Sequence, residues 1–229
     1  MRLLSKANPK LAKGEALGWH SYGLSLAPHT LAGGPTLCPW STASCRAECL
    51  NGAGRGAMPI VQDARVRKAR LYLDDSDRFY RLLRGELDCL ERNAKRTGKR
   101  VAVRLNVVSD VWHGRALDLR AWPSVTFYGY TKRPPSEWPS SLVQDLTYSL
   151  SKGPRREREA REHLAKGGKV AVVCKDLDRA LAVGEFEVGG QAFPVVDGDA
   201  HDLRFLDPPG HIVLLSEKGP AKGGKLALG

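Results

Sequence analysis

No run of about 20 apolar residues occurs anywhere in the 229-residue chain, so no membrane-spanning helix is expected. After Met1-Arg2-Leu3-Leu4 the sequence turns polar, without the apolar segment of a secretory leader. A cytoplasmic chain with reduced thiols is the resulting expectation. Internal repeats and low-complexity tracts are absent, which excludes a solenoid or a linker-rich protein. There is no G-x-x-x-x-G-K-[ST] loop and no G-x-S-x-G elbow, which removes P-loop NTPases and the usual serine hydrolases. The glycine-rich stretch Asn51-Gly52-Ala53-Gly54-Arg55-Gly56 reads G-x-G-x-G and follows no expected strand. It supports anion approach to backbone N–H groups better than a dinucleotide fold.

Cysteine is also scarce, which makes its placement informative. Three of the five cysteines, Cys38, Cys45 and Cys49, fall within twelve residues. Thiolates this close suit a soft metal or an iron–sulfur cluster. A disulfide with one free thiol, or three thiols buried as small hydrophobes, are the competing readings. The C-x6-C-x3-C spacing is neither two C-x-x-C pairs nor the C-x3-C-x2-C of ordinary radical S-adenosylmethionine enzymes. Cys89 follows the helical apolar series Phe79, Leu82, Leu83, Leu87 and is expected to pack a helix. Cys174 closes an apolar strand and is expected in the core, with a distant fourth-ligand role as the alternative.

Charge is one-sided: 36 Lys and Arg face 25 Asp and Glu, a net +11. Acidic residues do not collect in a tail, and the excess points to a polyanion, nucleic acid by default. Arg65, Arg67, Lys68 and Arg70 form the densest helical run and are the expected nucleic-acid contacts. A solvated helix face is the plainer account of that run.

The length suits one domain. Residues 1–57 lack periodicity and are expected to form an irregular cap carrying the cysteines, with residues 58–229 as an α/β core. Helices are expected from Pro59, over Asp77–Lys95, Arg155–Lys166 and Asp176–Val183. Strand-length apolar runs are Val101–Val108, Val125–Tyr130, Asp145–Leu150, Val170–Lys175, Phe193–Val196 and Ile212–Ser216. Continuous apolar strands point to a parallel sheet. A compact or incomplete (β/α) barrel is the first expectation and an open doubly wound sheet the alternative. Active residues of either fold gather at the C-terminal ends of strands, which selects Ser109, Asp110, Lys132 and the group Asp197, Asp199 and Asp202. Paired carboxylates can divide nucleophile and acid roles. A helix cap at Asp110 and a tight turn at Asp197-Gly198-Asp199 are the plainer accounts.

The blocks Cys38-Pro39…Cys45…Cys49-Leu50-Asn51, Gly54-Arg55-Gly56, Arg104-Leu105-Asn106…Ser109-Asp110, Tyr128-Gly129-Tyr130-Thr131-Lys132 and Asp197-Gly198-Asp199…Asp202-Leu203-Arg204-Phe205-Leu206-Asp207-Pro208 resemble a family of small bacteriophage and plasmid proteins. That family looks related to phage DNA guanine transglycosylases, which are similar to tRNA-guanine transglycosylases. The resemblance implies a zinc-bearing (β/α) barrel that exchanges guanine for a 7-deazaguanine base in DNA, in a phage-infected or plasmid-bearing host. It implies Asp197 or Asp199 as nucleophile, Asp110 as the group managing the base's proton, and Cys38, Cys45 and Cys49 as metal ligands. Asn106, Ser109, Lys132, Arg55 and Asp202 would contact substrate. A [4Fe-4S] enzyme, radical-S-adenosylmethionine-like, and a non-enzymatic metal-stabilised DNA-binding protein remain the alternatives.

Overall fold

A computed structural model describes residues 1–6 and 13–223. Two short strands open the chain, β1 (Leu4–Ser5) and β2 (Trp19–Leu24). A long connection then carries α1 (Ala43–Ala47), α2 (Pro59–Asp74) and α3 (Ser76–Thr97). β3 (Arg100–Arg104), β4 (Val125–Thr131) and β5 (Asp145–Ser149) follow, then α4 (Pro154–Ala165), β6 (Lys169–Cys174) and α5 (Leu177–Val183). β7 (Glu185–Val188), β8 (Gln191–Asp197) and β9 (Ile212–Ser216) complete the sheet.

Local sequence explains the helices. Pro59 and Pro154 stand in the first turns of α2 and α4, where a missing N–H costs nothing. Asp75 caps α3 by accepting the Arg78 N–H at 2.9 Å, and Gly98 ends that helix in the left-handed region. Phe79, Leu83, Leu87, Leu90 and Ala94 put the apolar stripe of α3 on the sheet. Burying each of the larger ones contributes about 1.5–3 kcal/mol relative to exposure. Cys89 falls outside that stripe and is exposed, contrary to the packing role expected of it.

The nine strands run in the order β1-β2-β3-β4-β5-β6-β9-β8-β7. Those from β2 to β8 are parallel, and β1 and β7 pair antiparallel at the two edges. The sheet is open. A barrel would require the two edge strands to pair with each other; instead β1 is a two-residue strand, and the N–H groups of Leu4 and of the preceding Leu3 donate to Glu86. β7 turns back through Gly189-Gly190, both at positive φ, as a tight hairpin requires. The helices occupy one face, so a doubly wound arrangement does not form either. α2 and α3 pack over Val101, Val103, Val125 and Phe127, while α4 and α5 pack over Tyr148, Val170, Val172, Ile212 and Leu214.

The opposite face is polar and nonetheless buried, under Leu203 and Phe205 of the β8–β9 connection. Arg104 and Asp202 pair there at 3.0 Å, with the Tyr128 hydroxyl donating to Asp202. Lys169 pairs with Asp145 at 2.8 Å beside them. Residues 1–57 are not merely a cap: β2 is the first of the parallel strands, and Leu24, Leu26 and Ala27 are fully buried.

Candidate active site

All parallel strands end on one edge of the sheet, and the cysteine loop hangs from the first of them. Beyond β2 the chain drops Leu26 and Ala27 into the core, then turns at His29. His29 has φ 39°, the one positive φ on a non-glycine residue among the described residues. Such strain persists only where surrounding structure enforces it. Here it aims the His29 N–H at the Cys38 sulfur, 3.3 Å away. The loop is tied to the end of β3 through the Asp110 N–H, which donates to the Leu37 carbonyl at 2.9 Å.

Cys45 lies in the short helix α1, whose Thr42 cap accepts the Cys45 N–H at 3.1 Å. Cys49 begins the next turn, its sulfur accepting the Asn51 N–H at 3.5 Å. That turn is clamped by α2. Gln62 bonds the side chain and carbonyl of Asn51, both at 2.6 Å, and also donates to the Gly56 carbonyl. Arg65 donates to the Asn51 side chain at 2.6 Å.

The three thiols are free, half-buried and near enough for their charges to interact. Burial pushes Cys38 up to about 12, with smaller upward contributions from Asp110 and the other two thiols. Burial raises Cys49 as well, opposed by the Asn51 N–H and by Arg65. Without a metal, Cys38 and Cys49 are therefore neutral thiols at pH 7. Among the described residues no three His, Cys, Asp or Glu side chains are grouped to hold a single metal ion. Cys174 is buried on β6 in the second core cluster, as the sequence suggested.

Asp110 and Lys132 form the ionisable pair beside the thiols. Asp110 accepts the Lys132 N–H at 2.9 Å, and burial raises its carboxyl above the usual range. The Lys132 ammonium is lowered, first by burial; the charges of Cys45 and Asp110 oppose that shift. Its Nζ is held at the end of β5 by the hydroxyls of Ser151, at 2.8 Å, and Ser149, at 3.2 Å. Burial thus shifts both groups toward their neutral forms, with the Lys132 backbone N–H, not its ammonium, bonded to the Asp110 carboxyl.

Other expected site residues are placed differently. Asn106 is consumed by its own turn, bonding Ser109 and both backbone groups of Val111, and Ser109 is buried. Asp202 is fully buried and ion-paired with Arg104, away from any exposed surface. Asp197 accepts the Asp199 N–H at 2.7 Å in a tight turn, and Asp199 binds Lys218 and Ser216. Five strand spacings separate β3 from β8, roughly 24 Å along the edge. The structure thus brings Asp110, but not Asp197 or Asp199, to the cysteine loop.

Of the basic run, Arg65 serves the Asn51 turn and Lys68 donates to the Leu3 carbonyl at 2.7 Å, leaving Arg67 and Arg70 exposed. Arg55 is exposed on the cysteine loop. Sequence reasoning missed Trp40, Trp112 and Arg156. The Arg133 guanidinium lies 4.4 Å from the Trp112 ring centre and 5.2 Å from that of Trp40. Arg156 donates to the Trp40 carbonyl at 3.4 Å. Reading two residues further past each strand end would have found Trp112.

The family model described as Gene product 88 matches residues 2–227. No curated protein and no solved structure matches the chain.

Proposed function

Starting from a chain that belongs to the gene product 88 family over nearly its whole length, we propose an enzyme whose reaction centre is a three-cysteine [4Fe-4S] site. The observation that carries this reading is the position of Cys38, Cys45 and Cys49. They follow the first parallel strand, couple through charge, and share the C-terminal edge with Asp110 and Lys132. We read the open sheet as an incomplete (β/α) barrel, in which that edge is the working end. Cluster ligands each bind a different iron, so their sulfurs need not close to the roughly 3.8 Å spacing of thiolates on one tetrahedral zinc. Arg65 near Cys49 supplies positive charge that offsets part of the three thiolates.

Held there, a cluster would supply one-electron chemistry to a substrate or to a small cofactor such as S-adenosylmethionine. The chain's own residues do the rest. Cys38, Cys45 and Cys49 bind it, the Asn51–Gln62–Arg65 clamp fixes the Cys49 turn, and Asp110 gives up or takes a proton.

A second reading is base exchange on DNA, with zinc at the thiols. The buried, readily protonated Asp110 favours it, because a departing guanine needs a proton. The nucleophile would then be a group other than the distant Asp197 and Asp199.

Anaerobic purification followed by metal analysis separates the two. The first reading expects a brown protein with about four iron and four sulfide per chain, lost in Cys38→Ser and Cys49→Ser. A colourless protein holding zinc, with labelled guanine or a 7-deazaguanine base entering DNA, would replace it with the second. Colourless protein binding neither metal sinks both.

A further inference from the structure

A cleft of about 450 Å³ opens beside the cysteine loop. That volume lies within the range of small-molecule sites. One wall is the loop itself, Leu37, Pro39 and Trp40; the other walls include Tyr72, Trp112 and the two arginines Arg115 and Arg133. No carboxylate lines it. Its chemistry is therefore aromatic and cationic at once.

The walls are also held in place. Arg133 spans Trp112 and Trp40, and its carbonyl accepts the Trp138 indole N–H at 3.0 Å. Glu137 approaches the Arg133 guanidinium at 3.6 Å from the solvent side, with its side chain 44% exposed. Arg115 is exposed in the turn that follows Trp112. Gly114 lets that turn fold onto the indole: a Cβ there would stand 3.2 Å from the Trp112 nitrogen.

We propose that this cleft is a nucleotide subsite, taking a base against the Trp112–Trp40 wall and a phosphate at Arg115 and Arg133. Planar bases stack on aromatic rings and guanidinium planes whatever their sequence, and phosphates seek arginine. The net charge of +11 draws such a polyanion to the molecule. The proposal deepens the enzyme reading by naming the substrate class of that edge, and rests on it for catalytic meaning. The binding itself does not require the metal.

The test uses the full chain and measures affinity for three probes: a guanine mononucleotide, a single-stranded oligodeoxynucleotide, and an abasic strand of equal length and charge. The base-bearing strand should bind roughly 5- to 150-fold more tightly than the abasic one, the span expected for one stacked base. Trp112→Ala should remove that preference and Trp112→Phe retain most of it. Arg115→Gln should weaken strand and mononucleotide alike by several-fold. Mononucleotide binding would identify a free nucleotide as ligand, and strand binding alone a nucleotide within a polymer; either supports the subsite. Equal affinity for base-bearing and abasic strands, with no mononucleotide binding, overturns it. So does an unchanged preference in Trp112→Ala protein that melts like the wild type. Should Trp112→Ala fail to fold, the exposed Arg115→Gln variant decides: undiminished affinity for both ligands overturns the proposal. Metal content measured on the same samples keeps the two readings apart. Metal-free protein with a base preference sinks the cluster and keeps the cleft, and cluster-loaded protein without one does the reverse.

Discussion

His113 shows how one side chain couples the fold to pH. It is buried beneath the aromatic cleft, its Nδ1 3.1 Å from the Tyr80 hydroxyl. Burial pushes its imidazolium down to about 4 from 6.5. The folded chain therefore holds a neutral ring, while the unfolded chain protonates it below about 6.5. Its contribution is present in full above 6.5 and disappears as pH falls through 4, amounting to about 3 kcal/mol at most. Urea unfolding of the wild type and of His113→Gln at pH 7 and pH 4.5 should show a smaller pH difference in the variant. Equal pH differences would mean that His113 does not carry this dependence. The arginines are a second lesson at this scale. Arg65 and Lys68 look like phosphate ligands in the sequence, yet their partners are an asparagine side chain and backbone carbonyls. Folding has engaged Arg65 Nη1 and the Lys68 ammonium before any nucleic acid arrives.

Among elements, the connection from β2 to β3 does most to build the site. The Cys49 turn is held by Gln62, one turn into α2, which donates to the Asn51 and Gly56 carbonyls and accepts from the Asn51 side chain. Gln62→Ala should destabilise the chain by about 1–3 kcal/mol, since buried acceptors on Asn51 and Gly56 lose their donor. It should also lower metal retention after dialysis, measured as metal per chain against melting temperature. Loss of stability with full metal retention would separate the clamp from the thiols. The strands of the second half were legible because runs such as Val170-Ala171-Val172-Val173 are apolar on both faces. β2 was not. Trp19-His20-Ser21-Tyr22-Gly23-Leu24 mixes polar residues with glycine, and it is a strand because β3 pairs with it along its length. The cysteine cluster and Asp110 could be read from spacing and strand ends. The fates of Asp202 and Asp197 could not, because an ion pair with Arg104, ninety-eight residues away, and a place in the sheet order are long-range facts.

At the scale of the whole molecule, the one-sided charge and the one-sided sheet act together. Helices cover one face, an ion-paired layer fills the other, and polar groups meet at a single edge. Binding of single-stranded DNA should weaken linearly on a log–log plot against salt, by about 0.7 per phosphate contacted. Arg115→Gln should flatten that slope by about one contact. A salt-independent affinity would remove nucleic acid as the partner. The order of the chain adds a consequence in time. Eighty-four residues separate Cys49 from Arg133, whose guanidinium closes over Trp40 in the same loop. On a ribosome adding about 5–20 residues per second, the thiols emerge roughly 4–17 s before Arg133 does. Through that interval the cysteine loop lacks its Arg133–Trp40 contact, and Ser149 and Ser151 have yet to receive Lys132.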